Sequence, residues 1–165
     1  MKRLSIAVLT AVVAGALAAP AAPAAPRKNI VQTAKASGDF KTLVKLVKAA
    51  GLAKTLSGST KYTVFAPTDA AFDKLPKKTL KALGKNKAAL KQVLLYHVVK
   101  GSVPAKQVVK LKSAKTVEGS KVRIKVRKGN VYLNRTTKVT AVDVRASNGI
   151  IHVINKVLIP KDLDL

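Results

Sequence analysis

The sequence predicts an α+β domain in which several short helices pack around a mainly antiparallel sheet. Three observations predict it. Apolar residues recur at i, i+3, i+4 and i+7 in the first half, as in Phe40, Leu43, Val44 and Val47. From Lys121 to Arg127 the period becomes two. Near the end, a turn signal at Asn148-Gly149 opens a run to Pro160 that is apolar on both alternating faces apart from His152, Asn155 and Lys156, so it belongs in the middle of a sheet. Helical patterns first and strand patterns afterwards are the order expected of α+β rather than alternating α/β.

The elements follow in order. Ile30, Val31 and Ala34 predict a short helix within Arg27 to Ala36, broken by Ser37-Gly38-Asp39. A second helix starts near Asp39, turns Lys41, Lys45 and Lys48 outward, and stops at Gly51. Leu52 to Leu56 adds a turn. Tyr62 to Ala66 has strand composition, and after Pro67 the pair Thr68-Asp69 caps the helix carrying Ala70, Ala71 and Phe72. Pro76 and Thr79 open a further helical turn that Gly84 closes, and Asn86 caps a helix from Lys87 to Leu95. Tyr96-His97-Val98-Val99 reads as strand, and Ala105 to Val109 as a short helix. Lys121 to Arg127 and Val131 to Leu133 form a hairpin about Lys128-Gly129-Asn130, and Val139 to Val144 is the strand before the final run, which Pro160 ends.

Residues 1–26 read as a secretory leader grading into a linker, and residues 27–165 as one domain. Lys2 and Arg3 precede an apolar stretch from Leu4 to Ala19, and Ala-Pro repeats reach Pro26. Small-x-small cleavage patterns end at Ala18, Ala21 and Ala24; the competing reading is an uncleaved anchor, although the stretch falls short of the roughly 20 apolar residues a span requires. No second apolar segment follows, so the mature chain is expected to be secreted or surface-associated without an integral span. Cysteine is absent, which removes disulfides and thiolate ligands. The alanine-rich leader without cysteine suits a bacterial exported protein better than an animal one.

The charge is extreme: +25 overall, and +23 once Lys2 and Arg3 leave with the leader. Such a surface attracts polyanions of every kind, including anionic envelope or matrix polymers, anionic membrane surfaces and DNA. Because strand side chains alternate, Lys121, Arg123, Lys125 and Arg127 share one face, and Val122, Ile124 and Val126 the other. Neighbouring charges on that face stand roughly 6 to 7 Å apart, a repulsive arrangement that a polyanion relieves. The same pattern also serves a solvated strand that resists aggregation. Extracellular DNA would bind through charge without sequence preference, since Tyr132 is the single aromatic beside the stripe.

Three ordered segments resemble the fasciclin domain: Tyr62-Thr63-Val64-Phe65-Ala66-Pro67-Thr68-Asp69-Ala70-Ala71-Phe72, Leu94-Leu95-Tyr96-His97-Val98-Val99, and Asp143 through Pro160. The resemblance extends from about Asn29 to Pro160 and implies a β-wedge with helices around it, and adhesion or surface interaction rather than catalysis. It also implies protein contact at Tyr96 and His97 and at Asp143 and Val144, where animal members bind integrins; here Ala141-Val142-Asp143-Val144 lacks the polar flanks of the animal motif. A protein receptor engaged by these four residues, with the lysines serving solubility, is therefore the alternative to polyanion capture.

Other chemistry finds weak support. His97 and His152 are the two histidines, too far apart and without cysteine to give a zinc ligand spacing, so no metal or other cofactor is expected. Each reads as a buried imidazole bonded to backbone. Ser147, His152 and Asp143 hold the atom types of a small secreted hydrolase, the distant alternative, but no G-x-S-x-G elbow surrounds Ser147. Asp69 and Asp73 read as charges at a helix N-terminus rather than as a catalytic pair. Asn134-Arg135-Thr136 matches a glycosylation acceptor.

Overall fold

The computed structural model describes residues 27–163, so the leader and cleavage zone predicted for residues 1–26 lie outside the described residues. Three helices come first, α1 (Ile30–Ser37), α2 (Lys41–Ala49) and α3 (Ala53–Ser57), then strand β1 (Tyr62–Pro67). Helices α4 (Asp69–Asp73), α5 (Lys77–Lys85) and α6 (Lys87–Tyr96) lead to β2 (Val98–Lys100), α7 (Ala105–Val108) and β3 (Ser113–Lys115). The chain finishes with β4 (Lys121–Arg127), β5 (Asn130–Leu133), β6 (Thr137–Ala146) and β7 (Gly149–Ile154).

Local chemistry sets the helix ends. Asn29 and Gln32 form a reciprocal capping box at the start of α1, and Gly38 ends it with φ 79°. The start of α2 is capped from a distance: Asp69 accepts hydrogen bonds from the Thr42 amide at 2.8 Å and the Lys41 amide at 3.3 Å. Burial raises the Asp69 pKa, but the amides of Thr42 and Lys41 together hold its carboxyl below the ordinary value. Thr68 caps α4, and Asn86 accepts from the amides of Ala88 and Ala89 to begin α6.

The sheet has seven strands in the order β2-β1-β7-β6-β5-β4-β3. All neighbours are antiparallel except β1 and β7, which run parallel. A bridge between Val99 and Thr116, with the Val117 amide bonded to the Val98 carbonyl at 2.7 Å, brings the two ends of the sheet together into a nearly closed wedge. Two apolar clusters occupy its faces. Val64, Ala66, Val98 and Ile151 pack with α1, α2 and α6 on one side, while Phe65, Val99, Val122, Leu133, Val139 and Ile154 fill the other. Strand β1 is buried along its whole length because it has a cluster on each face.

The turn before β7 ties the helices to the sheet. Buried Asn148 accepts from the Ile30 amide at 2.9 Å and donates to the carbonyls of Leu56 and Gly58, at 2.6 and 3.0 Å. A Cβ on Gly149 would collide with the Tyr62 carbonyl oxygen, so the residue is glycine to let β7 approach β1.

Five local expectations are corrected. Gly84 lies inside α5, where its missing side chain is tolerated, and Asn86 ends that helix. Tyr96 closes α6 and His97 is its C-cap, so the strand begins at Val98. Asp73 is the last residue of α4, not part of its N-terminus. Strand β7 ends at Ile154, before Pro160, because Asn155 turns away and exchanges hydrogen bonds with Lys138 through both its amide and its side chain. Val126 is 43% exposed, whereas Val122 is fully buried, because the tip of the β4–β5 hairpin runs past the buried cluster.

Candidate functional site

The basic stripe is built as the alternation predicts. Lys121, Arg123, Lys125 and Arg127 are all exposed along β4, with Val122 and Ile124 buried beneath. The strand is held by β3 on one side and β5 on the other, so its cations stand on a fixed backbone. Lys128 and Gly129, with φ 48° and 75°, form the tight turn that returns the chain into β5.

Beside the first half of the stripe lies an open groove of about 400 Å³. Lys121 and Arg123 from β4, Arg135 from the β5–β6 loop, and Ile159, Lys161 and Asp162 from the C-terminal segment line it, with Tyr96, Ser120 and Asn134. Buried Tyr96 is held by its hydroxyl, which accepts from Asn134 Nδ2 at 2.9 Å and donates to the Lys121 carbonyl at 3.4 Å. Asn134 Oδ1 accepts from the Arg123 amide at 3.0 Å. The Asn134 amide thus helps hold the hairpin against α6.

The structure therefore joins one residue of the predicted protein-contact set, Tyr96, to two residues of the stripe. The others lie elsewhere. His97 is 2% exposed, its Nδ1 paired with the Val93 carbonyl at 2.7 Å and its Nε2 accepting from the Leu158 amide at 2.8 Å. With both nitrogens used internally it has no atom for a partner, which corrects its reading as a contact residue. Burial lowers its pKa to about 4 against the raising effect of the Val93 hydrogen bond, so the ring is neutral. Its bond to Leu158 anchors the segment that brings Ile159 and Lys161 to the groove.

Asp143 is exposed, with φ 57° in an irregular stretch of β6, and its carboxylate accepts from the Ala105 amide at 2.8 Å, capping α7. Val144 is half-buried against the helix-side cluster. His152 is buried against Phe65, with Nε2 on the Val103 carbonyl at 2.9 Å and Nδ1 accepting from the Asp143 amide at 3.3 Å. Burial lowers its pKa despite opposing effects of the Val103 hydrogen bond and the Asp143 charge. Because the Asp143 carboxylate faces α7 and both imidazole nitrogens face backbone, Ser147, His152 and Asp143 do not form a proton relay.

Arg135 and Lys161 are the groove cations that sequence reasoning missed. Neither lies in a periodic run, and 26 residues separate them. Among the described residues, no helix is long and apolar enough to cross a membrane, and no three His, Cys, Asp or Glu side chains gather as metal ligands.

The fasciclin domain model matches residues 38–160. Two proteins of Synechocystis sp. are similar: one is 41% identical over 133 residues, which are 79% of this chain and 73% of that protein, and the other is 42% identical over 131 residues, 79% and 97% respectively. The transforming growth factor-beta-induced protein ig-h3 of Sus scrofa is 34% identical over 132 residues, 80% of this chain but 19% of that protein. Among solved structures, the FAS1 domain pair of the insect cell adhesion molecule Fasciclin I has TM-score 0.69 at 22% identity, covering 84% of this chain and 53% of that one, a likeness of fold.

Proposed function

The chain belongs to the fasciclin domain family, and from that premise we propose that it is an exported, non-enzymatic module for surface or matrix adhesion that captures anionic polymers through its basic face. The observation that carries the reading is the exposure of all four cations of β4 on one strand face, in a chain of net charge +25. Fasciclin I, whose domain pair shares the fold, is a cell adhesion molecule. The mechanism is multivalent Coulomb attraction with release of counterions from the polymer, so affinity depends on salt and on the number of cations engaged.

Replacing Lys121, Arg123, Lys125 and Arg127 together with glutamine is expected to weaken binding to an anionic cell-wall polymer at least tenfold at low salt and to flatten its salt dependence. The folded core should persist, because all four side chains are exposed. Equal affinity and equal salt slope in the variant would remove the stripe from the mechanism.

A further inference from the structure

We propose that the groove beside Tyr96 is a saturable site for one phosphate- or sulfate-bearing sugar unit of an acidic polysaccharide. The inference rests on the polyanion reading for the polymer to which that unit belongs, and goes beyond it in assigning a discrete pocket and a ligand chemistry.

Charge, shape and wall chemistry converge there. Lys121, Arg123, Arg135 and Lys161 surround the groove and Asp162 is the one carboxylate among its lining residues, so its walls carry a net charge of +3. Its volume of about 400 Å³ falls in the range of roughly 300 to 1,000 Å³ usual for small-molecule sites. A concave wall of net positive charge concentrates the field on whatever enters more than a flat strand face does. The two guanidinium groups can each engage an oxyanion through two parallel N–H donors.

The neutral lining selects a sugar over a nucleotide. Ser120 and Asn134 add polar groups suited to hydroxyls, and Ile159, 38% exposed, gives an apolar wall for the C–H face of a ring. No aromatic face is offered: Tyr96 is 4% exposed, with its hydroxyl bonded to Asn134 and Lys121, so a base would lack the stacking platform that single-strand binding uses.

Asn134 and Arg135 both sit at positive φ, 47° and 72°. Both are left-handed residues of the short hairpin loop between Leu133 and Thr137 that returns the chain into β6. The conformation belongs to the loop that lines the groove with Arg135.

Titration calorimetry of residues 27–165 with glucose 6-phosphate, glucose 6-sulfate, inorganic phosphate and glucose tests this directly. The expected result is one saturable site per chain for at least one of the two sugar esters, binding at least threefold tighter than inorganic phosphate, with no heat from glucose. Comparison of the two esters identifies which oxyanion the groove takes. The double variant Arg135→Gln with Lys161→Gln, outside the stripe, should lose at least tenfold in ester affinity, while Lys45→Gln with Lys48→Gln, exposed on α2 and outside both the groove and the stripe, stays within twofold of the parent chain. Absence of a saturable ester site while the chain still captures acidic polymer in a salt-dependent way would overturn the groove and leave the stripe standing. Equal losses in the two double variants, inorganic phosphate binding as tightly as either ester, or a short single-stranded oligonucleotide competing better than both esters would each overturn it as well. Failure of the chain to capture any acidic polymer, with the ester site retained, would instead defeat the wider reading and leave the groove.

Discussion

His97 couples the core to the groove through one ring. Its Nδ1 donates back to Val93, four residues earlier, at the end of α6, and its Nε2 receives the Leu158 amide from the C-terminal segment. Protonation would put a second N–H where Leu158 already donates. Since burial lowers the folded-state pKa to about 4, the unfolded chain takes up this proton first as pH falls below about 6.5. The folded state therefore loses stability from about pH 6.5 down to about pH 4, by an amount on the order of 3 kcal/mol, and the loss stops growing once the folded ring is protonated too. Above pH 6.5 the contribution is fully present. Urea unfolding at pH 7 and pH 4.5 should show the parent chain losing more stability than His97→Gln over that interval; equal losses would separate the histidine from the pH dependence.

At the scale of elements, alternation and burial part company along β4. Val122 and Val126 occupy the same predicted face, but Val122 is fully buried and Val126 is 43% exposed. Val122→Ala should cost about 2 kcal/mol, from lost transfer energy and the cavity left behind, whereas Val126→Ala should stay within about 0.5 kcal/mol. Denaturant midpoints of the two variants decide it, and similar costs would mean that the hairpin tip is covered in solution. The element order apart from β3, which no alternating run announces, the hairpin, the caps at Thr68 and Asn86 and the central place of the last run were legible in local patterns. Tyr96 and His97 were misread as strand because a short apolar run has no period of its own; α6 extends through Tyr96, where the His97 ring and amide bond back to Val93 and Leu94. The end of β7 was misplaced for a similar reason: apolar residues resume from Val157 to Ile159, but Asn155 has already turned the chain. The cap that Asp69 places on α2 joins residues 27 apart and leaves no local signal.

At the scale of the molecule, the same limit applies to the site. The stripe was legible because its four cations fall within seven residues of one strand, whereas the groove draws on the end of α6, β4, the β5–β6 loop and the C-terminal segment. Only the closed wedge brings these together. A chain of net charge +25 repels itself as it compacts, and two buried clusters together with the hydrogen-bonded sheet oppose that repulsion. Among the described residues, no buried side-chain nitrogen or oxygen lacks a partner, so the polar interior adds little unpaired cost. The excess of cations on the outside is what the proposed adhesion uses. The most direct test is binding of residues 27–165 to an anionic cell-wall polymer, anionic vesicles, DNA and a neutral glycan from low salt to about 1 M, where the Debye length shrinks to roughly 3 Å. Electrostatic capture predicts affinity for all three polyanions that falls steeply with salt, and none for the neutral glycan. Binding to one ligand that persists undiminished at about 1 M salt, or to none of the four, would contradict it.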